Sequence, residues 1–255
     1  MSRKRHSPAD EPFFLVRSVG GDFADGNVSP AHAHRWSQLI YATSGIITVW
    51  TEHGSWVAPP HWAVWAPAGV AHALHFTGKT SVRTLYLRQD IAPQWSRSAV
   101  IGISPLLREL IVRAVDIGML DERDPTHVAL AQLIVADLRP HAVASLELPR
   151  PVSPRLRQTA ENVLDAIAAR ETHATIARRV GMSVRSLERG FLRETGLSFG
   201  RWRRQARFLH ALRRLGAGAA VKAAAAEAGY QTPSAFIAAF RSAFKTTPAQ
   251  YFRRQ

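Results

Sequence analysis

The spacing of apolar positions divides the chain into a strand-like part and a helical part. Over residues ~10–90, short alternating apolar runs are interrupted by glycine and proline, as in "GIITVW" and "SVRTLYLR". Val, Ile, Thr and aromatic residues at period two between turn residues predict an antiparallel barrel or sandwich. From residue ~104 the apolar positions follow the period of an amphipathic helix, and this continues to the end of the chain.

Two helices are predicted between these parts. In "SPLLRELIVRAVDIGM", Ser104 fits an N-cap and Pro105 fits the first helical position. "DPTHVALAQLIVADLRP" predicts a second amphipathic helix, which ends before Pro140. The three prolines of "ELPRPVSPR" predict a linker over residues 147–155. We therefore predict a strand-rich domain over 10–100, a helical segment over 101–146 and a helical domain over 154–255.

The helical domain contains the same sequence of helix stop and helix start twice. In "HATIARRVGMSVRSLERGF" one helix ends at Gly181 and Ser183 caps the next. In "VKAAAAEAGYQTPSAFIAAF" Gly229 ends a helix and Thr232 caps its successor. A helix, a glycine turn and a capped helix form the signature of a helix-turn-helix motif.

One long helix, "SFGRWRRQARFLHALRRLG", is predicted to join the two motifs. Its apolar positions predict one packed face. Its arginines are expected to remain for solvent or phosphate: Arg203, Arg204, Arg207 and Arg214.

The net charge of +14 lies entirely in the last part of the chain. Residues 1–149 carry thirteen Lys/Arg and thirteen Asp/Glu, whereas residues 150–255 carry twenty and six. A neutral part followed by a strongly basic part predicts that only the second binds a polyanion, and nucleic acid is the favoured one. Cysteine is absent, which excludes disulfides and thiolate chemistry and fits a reducing compartment.

The sequence also bears on location. The basic start, "MSRKRHSPADEP", is followed by polar residues rather than an apolar run, so no signal peptide is expected. No window approaches ~18 consecutive apolar residues, so no membrane span is expected. These features favour the cytoplasm.

The helical domain resembles the DNA-binding domain of the AraC/XylS family of bacterial transcription regulators. The resemblance covers residues ~155–252 and is carried most specifically by the closing pattern Phe240, Arg241, Phe244, Lys245, Pro248 and Tyr251. It implies that double-stranded DNA is a partner and adds RNA polymerase and a homodimer as further expectations. The helices at ~104–138 are candidates for the dimer contact, and the alternative that they only cap the barrel stays open.

The recognition helix of the first motif is expected to present a specific set of side chains to the major groove. With Leu187 and Phe191 pointing inward, the outward residues are Arg185, Ser186, Glu188 and Arg189, and Arg193 adds a further cation. Arginine can bond guanine in a bidentate manner and glutamate can accept from cytosine N4. The resemblance places base contacts at the same positions. The alternative for Glu188 is an intrahelical ion pair with one of the two neighbouring arginines.

The second motif offers fewer hydrogen-bonding groups to the bases. Its predicted groove face carries Ser234, Ile237, Ala238 and Arg241, with Lys245 just beyond. Ala238 stands where the family often has arginine, and isoleucine can touch a thymine methyl group but cannot donate. We therefore predict unequal readout, in which the first motif reads most of the sequence and the second mainly anchors the backbone.

A group of histidines is the candidate chemistry of the strand-rich domain. "HAHRWSQLIYATSG" supplies His32, His34 and Gln38, and "PAGVAH" supplies His72. These spacings are similar to the two cupin motifs, except that Gln38 stands where metal-bearing cupins have glutamate. Three imidazoles and one neutral oxygen suit a divalent transition metal: Ni, Zn, Co, Cu or Fe. Loss of the carboxylate leaves the ion's charge uncompensated and weakens binding.

The same residues can instead line a pocket for an organic effector. We expect that pocket to contain His32, His34, Gln38, Trp65, His72 and His75. A third interpretation is a structural or vestigial pocket. The metal, the organic effector and the vestigial pocket all remain open on the sequence.

These observations predict a two-domain protein. An all-β cupin-like barrel with flanking helices is followed by an all-α domain of two helix-turn-helix motifs joined by a long helix. The expected function is sequence-specific transcription regulation controlled by a small ligand or metal ion. Two alternatives are a metal-dependent cupin enzyme, of dioxygenase or isomerase type, fused to a DNA-binding domain, and an architectural DNA-binding protein. Gln38 and the lack of an acid–base pair in residues 1–100 argue against catalysis, so we expect no enzyme.

Overall fold

The computed structural model describes residues 13–140 and 146–253. The prediction that no signal peptide is present falls on residues 1–12, outside this range. The predicted domains likewise extend onto residues 10–12, 141–145 and 254–255, which lie outside it. Within the described ranges, no helix has the length and apolar character that crossing a bilayer requires.

In the described part of the chain, nine strands form one antiparallel sheet and confirm the prediction of an all-β domain. The strands are β1 (Phe14–Phe23), β2 (Val28–His32), β3 (Ser37–Thr51), β4 (Gly54–Ala58), β5 (Trp62–Ala66), β6 (His72–Leu87), β7 (Ala99–Gly102), β8 (Met119–Asp121) and β9 (Glu147–Pro149). The main path is β7-β5-β3-β6-β1-β8, with β2 added to β6 and β4 paired with both β3 and β9. The long strands β3 and β6 therefore hold most of the sheet together.

Two helices cover one face of the sheet, α1 (Pro105–Ile117) and α2 (Pro125–Asp137). Ser104 caps α1 by accepting a hydrogen bond from Leu107 N, as predicted. Leu107, Ile111 and Ile134 of these helices share a buried core with Leu39 of β3. The helices therefore complete the core of the first domain.

The predicted linker is partly wrong, because its first residues form strand β9. Leu148 is buried opposite Ser55 of β4, and Glu147 and Pro149 pair with Trp56 and Gly54. An edge strand with unpaired backbone groups gains hydrogen bonds from any extended segment that reaches it. The segment that was expected to be a linker thus closes the edge of the sheet.

The last domain is helical throughout, and it confirms the double helix-turn-helix. Its helices are α3 (Pro154–Asp165), α4 (His173–Arg179), α5 (Val184–Thr195), α6 (Phe199–Gly216), α7 (Val221–Glu227), α8 (Pro233–Phe244) and α9 (Pro248–Arg253). Gly181 and Gly229 adopt the left-handed backbone that ends a helix, with φ of 62° and 74°. Ser183 and Thr232 cap α5 and α8 through their hydroxyl oxygens.

Helix α6 joins the two motifs and also packs against the barrel. Gly216 at its end lies against Ile46 of β3, and the backbone of Gly78 in β6 approaches the Gly216 carbonyl. Trp202 Nε1 donates to the Pro149 carbonyl at 2.8 Å. The Tyr251 hydroxyl donates to the Pro60 carbonyl. The barrel and the helical domain are therefore in direct contact.

Candidate functional site

Three of the predicted histidines converge at one end of the barrel. His32 ends β2 and lies opposite His72 at the start of β6, while His34 follows in the next turn. The ring centroids of His32 and His72 are 4.7 Å apart, and those of His34 and His72 are 5.1 Å apart. One ring nitrogen from each lies within 4.8 Å of the others. The space between them is the size of an ion rather than an organic molecule.

One nitrogen of each of these imidazoles forms a hydrogen bond with a backbone carbonyl. The Nδ1 atoms of His32, His34 and His72 lie 2.8, 2.5 and 2.8 Å from the carbonyls of residues 30, 36 and 70. A carbonyl oxygen only accepts, so each Nδ1 carries the hydrogen. The neutral imidazole then has a bare Nε2, which is the form that binds a metal.

Gln38 adds a neutral oxygen to the same centre. It is buried on β3, and its Oε1 lies 2.9 Å from Nε2 of both His34 and His72. Its amide donates to Thr84 Oγ1 at 3.0 Å, and that hydroxyl donates to the Leu39 carbonyl. The centre is consequently surrounded by acceptors alone. A cation at the centre satisfies them, and so does rotation of the amide, which would turn its two N–H groups toward the rings.

Burial keeps His72 in its neutral form. Loss of hydration lowers the pKa of His72 from 6.5 to about 4, against the opposing effect of the Val70 carbonyl and with a further lowering by His32 and His34. His72 therefore carries no second proton near neutral pH, and its inner nitrogen stays an acceptor.

Two residues predicted to line this pocket lie elsewhere. Trp65 alternates with Ala66 along β5, so it points to the opposite face, into the core under α1 and α2, where it contacts Trp95. His75 is three residues beyond His72 on β6, so it also faces the other way and contacts Trp50. The placement of these two side chains corrects the predicted pocket.

A larger cavity lies between the barrel and the second helix-turn-helix motif. This cleft of about 540 Å³ is lined by Trp62, Arg139, Phe244, Lys245 and Tyr251, among others. An organic molecule of ordinary size fits this volume and not the space between the three imidazoles. The cleft could not be predicted from local sequence patterns, because its walls come from segments far apart in the chain.

Helix α5 exposes Arg185 and Arg189, which the sequence predicts to point outward. Leu187 and Phe191 are fully buried, and Arg185 and Arg189 are exposed with no partner among the described residues. Arg193 is also exposed but forms an ion pair with Glu194 at 3.1 Å. Ser186 lies at the edge of this face, where its hydroxyl receives a hydrogen bond from the capping Ser183.

Glu188 does not pair with a neighbouring arginine. Its Oε1 lies 3.2 Å from His173 Nδ1 at the start of α4. Glu188 projects from the flank of α5 that faces α4, which sequence spacing along one helix could not show. The alternative of an intrahelical pair is therefore wrong.

Helix α8 presents a less polar face. Phe236 and Phe240 are fully buried, and Ser234, Ala238 and Arg241 are exposed. Ile237 is half-buried. Lys245 ends the helix in the left-handed conformation, with φ of 56°, and its Nζ donates to the Ser242 carbonyl.

Two of the α6 arginines expected in solvent contact a neighbouring loop instead: Arg203, which is buried, and Arg207, which is half-buried. Arg203 is 8% exposed and donates to the Glu171 and Ala169 carbonyls at 2.5 and 2.7 Å. Arg207 donates to the Ala169 carbonyl at 2.8 Å. These arginines bind the loop between α3 and α4, whose carbonyls have no helical partners. Arg204 remains exposed.

Comparisons with known proteins agree with this architecture. The model of a helix-turn-helix domain matches residues 176–254, and the model of a cupin domain matches residues 22–87. The HTH-type transcriptional regulator NimR of Escherichia coli (strain K12) is 33% identical over 230 residues, covering 90% of this chain and 84% of NimR. The transcriptional regulator SirC of Salmonella typhimurium (strain SL1344) is 33% identical over 138 residues, 52% of this chain and 45% of SirC.

Two solved structures also show similarity to this chain. The DNA-binding domain of AdpA in complex with a target DNA is 28% identical, with a TM-score of 0.38, and covers 40% of this chain and 93% of that domain. ToxT from Vibrio cholerae strain SCE256, with a bound unsaturated fatty acid, is 13% identical, with a TM-score of 0.38, and covers 95% of each chain.

Proposed function

The chain belongs to the AraC/XylS family of transcriptional regulators, and from that premise we propose that a divalent transition metal ion in the barrel controls its binding to specific DNA sites. The observation that carries the metal is the acceptor-only centre formed by His32, His34, Gln38 and His72. Backbone carbonyls fix the hydrogens of the three imidazoles on the outer nitrogens. The inner nitrogens are left to bind a cation.

The ligand atoms limit which metal ions the centre can bind. Three imidazole nitrogens and one amide oxygen suit Zn, Ni, Co, Cu or Fe(II) rather than Mg or Ca. The centre has no carboxylate, so the bound ion keeps its positive charge. We expect reversible binding, as a sensor requires, rather than a permanently held cofactor.

The two recognition helices are proposed to enter successive major grooves of double-stranded DNA. Helix α5 would read bases through Arg185 and Arg189, and α8 would mainly hold the backbone through Arg241 and Lys245. Ser234 and Ile237 are the remaining candidate contacts on α8. A homodimer would double the site, and RNA polymerase is the expected further partner.

A short path connects the metal centre to the DNA-binding domain. Strand β6 begins with His72, and six residues later Gly78 lies against the end of α6. Strand β3 carries Gln38 near one end and Ile46, which also contacts α6, further along. An ion that draws β2, β3 and β6 together would therefore act on the helix that sets the spacing of the two motifs.

The experiment measures metal binding, and the effect of metal on DNA binding, in the full chain purified without a histidine tag. Elemental analysis and calorimetric titration with Zn, Ni, Co and Cu measure the metal, and fluorescence anisotropy on a site obtained by selection measures DNA. We expect His72→Ala to abolish metal binding and the metal response of DNA binding. His75→Ala, on the other face of the same strand, should retain both.

Two results together would contradict the proposal of metal control. They are a metal-free protein whose melting temperature responds to none of these ions, and intact regulation in His32→Ala. An effector of organic type, bound without metal, would then be the alternative. The named relatives are transcriptional regulators, which argues against the alternative of a cupin enzyme.

A further inference from the structure

A histidine outside the expected DNA-binding face contacts the recognition helix of the first motif. His173 Nδ1 lies 3.2 Å from Glu188 Oε1, and each side chain is about one-third exposed. Glu188 Oε2 has no partner among the described residues. Among the described residues Arg185 and Arg189 have no partner either, so of these three charged side chains Glu188 is the one that a contact holds in place.

The ring of His173 is itself held in place. It is the first residue of α4, directly after the N-cap Thr172, whose hydroxyl accepts from Thr175 N. The ring lies edge-on to the buried Phe199, with centroids 5.1 Å apart. A Cβ at Gly200 would approach the His173 ring to 3.0 Å, so glycine at this position leaves room for the ring. The capped start of α4 therefore places His173, and the ring of Phe199 packs against its imidazole.

We propose that His173 is a positioning residue for base reading. It holds Glu188 Oε1, so that Oε2 is directed to accept a hydrogen bond from a base, with cytosine N4 as the matching donor. A glutamate without this contact samples several rotamers and loses more freedom on binding DNA. This inference rests on the sequence-specific DNA binding proposed above and assigns one determinant of its specificity.

The experiment is a binding-site selection, followed by affinity measurements on the selected site and on all three substitutions at each base pair. Glu188→Ala should lower the preference for cytosine at one base pair by about tenfold. His173→Ala should lower the preference at that same base pair by about twofold to fivefold, the range for a partly exposed pair. His173→Asn, whose amide can donate from a position close to that of Nδ1, should retain the preference.

The matched control is His53→Ala. His53 forms an exposed pair with Glu52 at the same distance of 3.2 Å, but in the barrel, so its removal should leave every base preference unchanged. Thermal denaturation of each variant verifies folding, and His173→Asn keeps the test valid where His173→Ala is unstable.

Three outcomes would overturn the positioning role. They are equal weakening on all sequences by His173→Ala, unchanged preferences in His173→Ala or Glu188→Ala, and a double variant whose loss is the product of the single losses. These outcomes leave the proposed function standing when the unmodified protein selects a defined site. Selection of no defined site by the unmodified protein would refute both.

Discussion

Gln38 determines how much charge the histidine centre can neutralise. Its oxygen lies within 3 Å of two imidazoles, yet as an amide it brings no negative charge. A carboxylate of nearly the same shape would supply that charge without changing the backbone. Under the proposed function, the amide of Gln38 would therefore make the metal site weaker than a carboxylate would.

Gln38→Glu is expected to tighten metal binding. The added charge attracts the ion, and Zn affinity should rise by about 10–100-fold. Calorimetric titration at constant pH measures the change, with Gln38→Leu as the control that loses the oxygen. Equal Zn affinity in all three proteins would show that residue 38 does not contact an ion.

Neighbouring arginines on α6 have opposite roles. Arg203 is buried on two backbone carbonyls, whereas Arg204 is exposed. Arg203→Met should lower the free energy of unfolding by about 2–3 kcal/mol, because it removes the Arg203 donor of the Glu171 carbonyl and one of the two arginine donors of the Ala169 carbonyl. Arg204→Met should change it by less than about 0.5 kcal/mol. Urea denaturation tests the difference, and similar losses for both variants would contradict the buried role of Arg203.

The two recognition helices differ although they repeat one motif. Helix α5 presents Arg185 and Arg189, while the corresponding surface of α8 presents Ala238 and the half-buried Ile237. Hydrogen-bond donors distinguish bases more sharply than apolar contacts do. The two motifs therefore share their order of helices, but α5 offers more hydrogen-bonding groups for distinguishing bases than α8 does.

Arg185→Ala should cost roughly 1–3 kcal/mol of specific binding and relax one base position. Arg241→Ala should weaken binding to all sequences about equally, because its expected contact is phosphate. Anisotropy titrations on the selected site and on mixed-sequence DNA measure both changes. A selection in which the half-site of α8 is as sharply defined as that of α5 would refute this asymmetry.

The contact between β6 and α6 depends on a glycine. A Cβ on Gly78 would lie 2.2 Å from the Gly216 carbonyl oxygen, and its φ is 73°. Gly69 has a similar φ of 78° but no atoms near the added Cβ, so it makes a matched control.

Gly78→Ala should destabilise the protein more than Gly69→Ala. Both variants carry the left-handed penalty of about 1–2 kcal/mol. Only Gly78→Ala adds steric overlap, which should cost about 1–3 kcal/mol more and loosen the barrel from α6. Thermal denaturation and limited proteolysis compare the two. Equal melting temperatures would show that this approach does not hold the domains together.

Stability of the full protein is expected to depend on pH through the half-buried His210. Burial lowers the pKa of His210 on α6, and the charges of Arg213 and Arg214 lower it further. The unfolded chain then takes up a proton near the ordinary value of about 6.5, while the folded protein does not. The stabilisation is complete above that pH and is lost as the pH falls toward the lower folded pKa.

His210→Gln should flatten this dependence below pH ~6.5. Urea denaturation between about pH 7.5 and 5, in EDTA to remove metal linkage, measures the slope of unfolding free energy with pH. His53→Ala, which removes an exposed histidine, should leave the slope unchanged. An unchanged slope in His210→Gln would show that this histidine titrates alike in both states.

Local features of the chain were predictable because they depend on residues a few positions apart. Apolar period, capping side chains and left-handed glycines act within one helix or strand, so Ser104, Ser183, Gly181 and Gly229 were placed correctly. The difference in net charge between the two domains follows from counting their charged residues. The spacing of the histidines predicted that His32, His34, Gln38 and His72 lie close together. They do, because the strands that carry or flank them are neighbours in the sheet.

Other features depend on contacts between segments far apart in the chain. Trp65 and His75 face away from the predicted pocket because strand pairing fixes which face of each strand is inside. Residues 147–149 became a strand because β4 offered an open edge. The partners of Arg203 and Glu188 lie on other helices and loops, and polar groups choose partners by proximity in space. Folding thus set the partners of polar side chains, while local pattern set the elements that carry them.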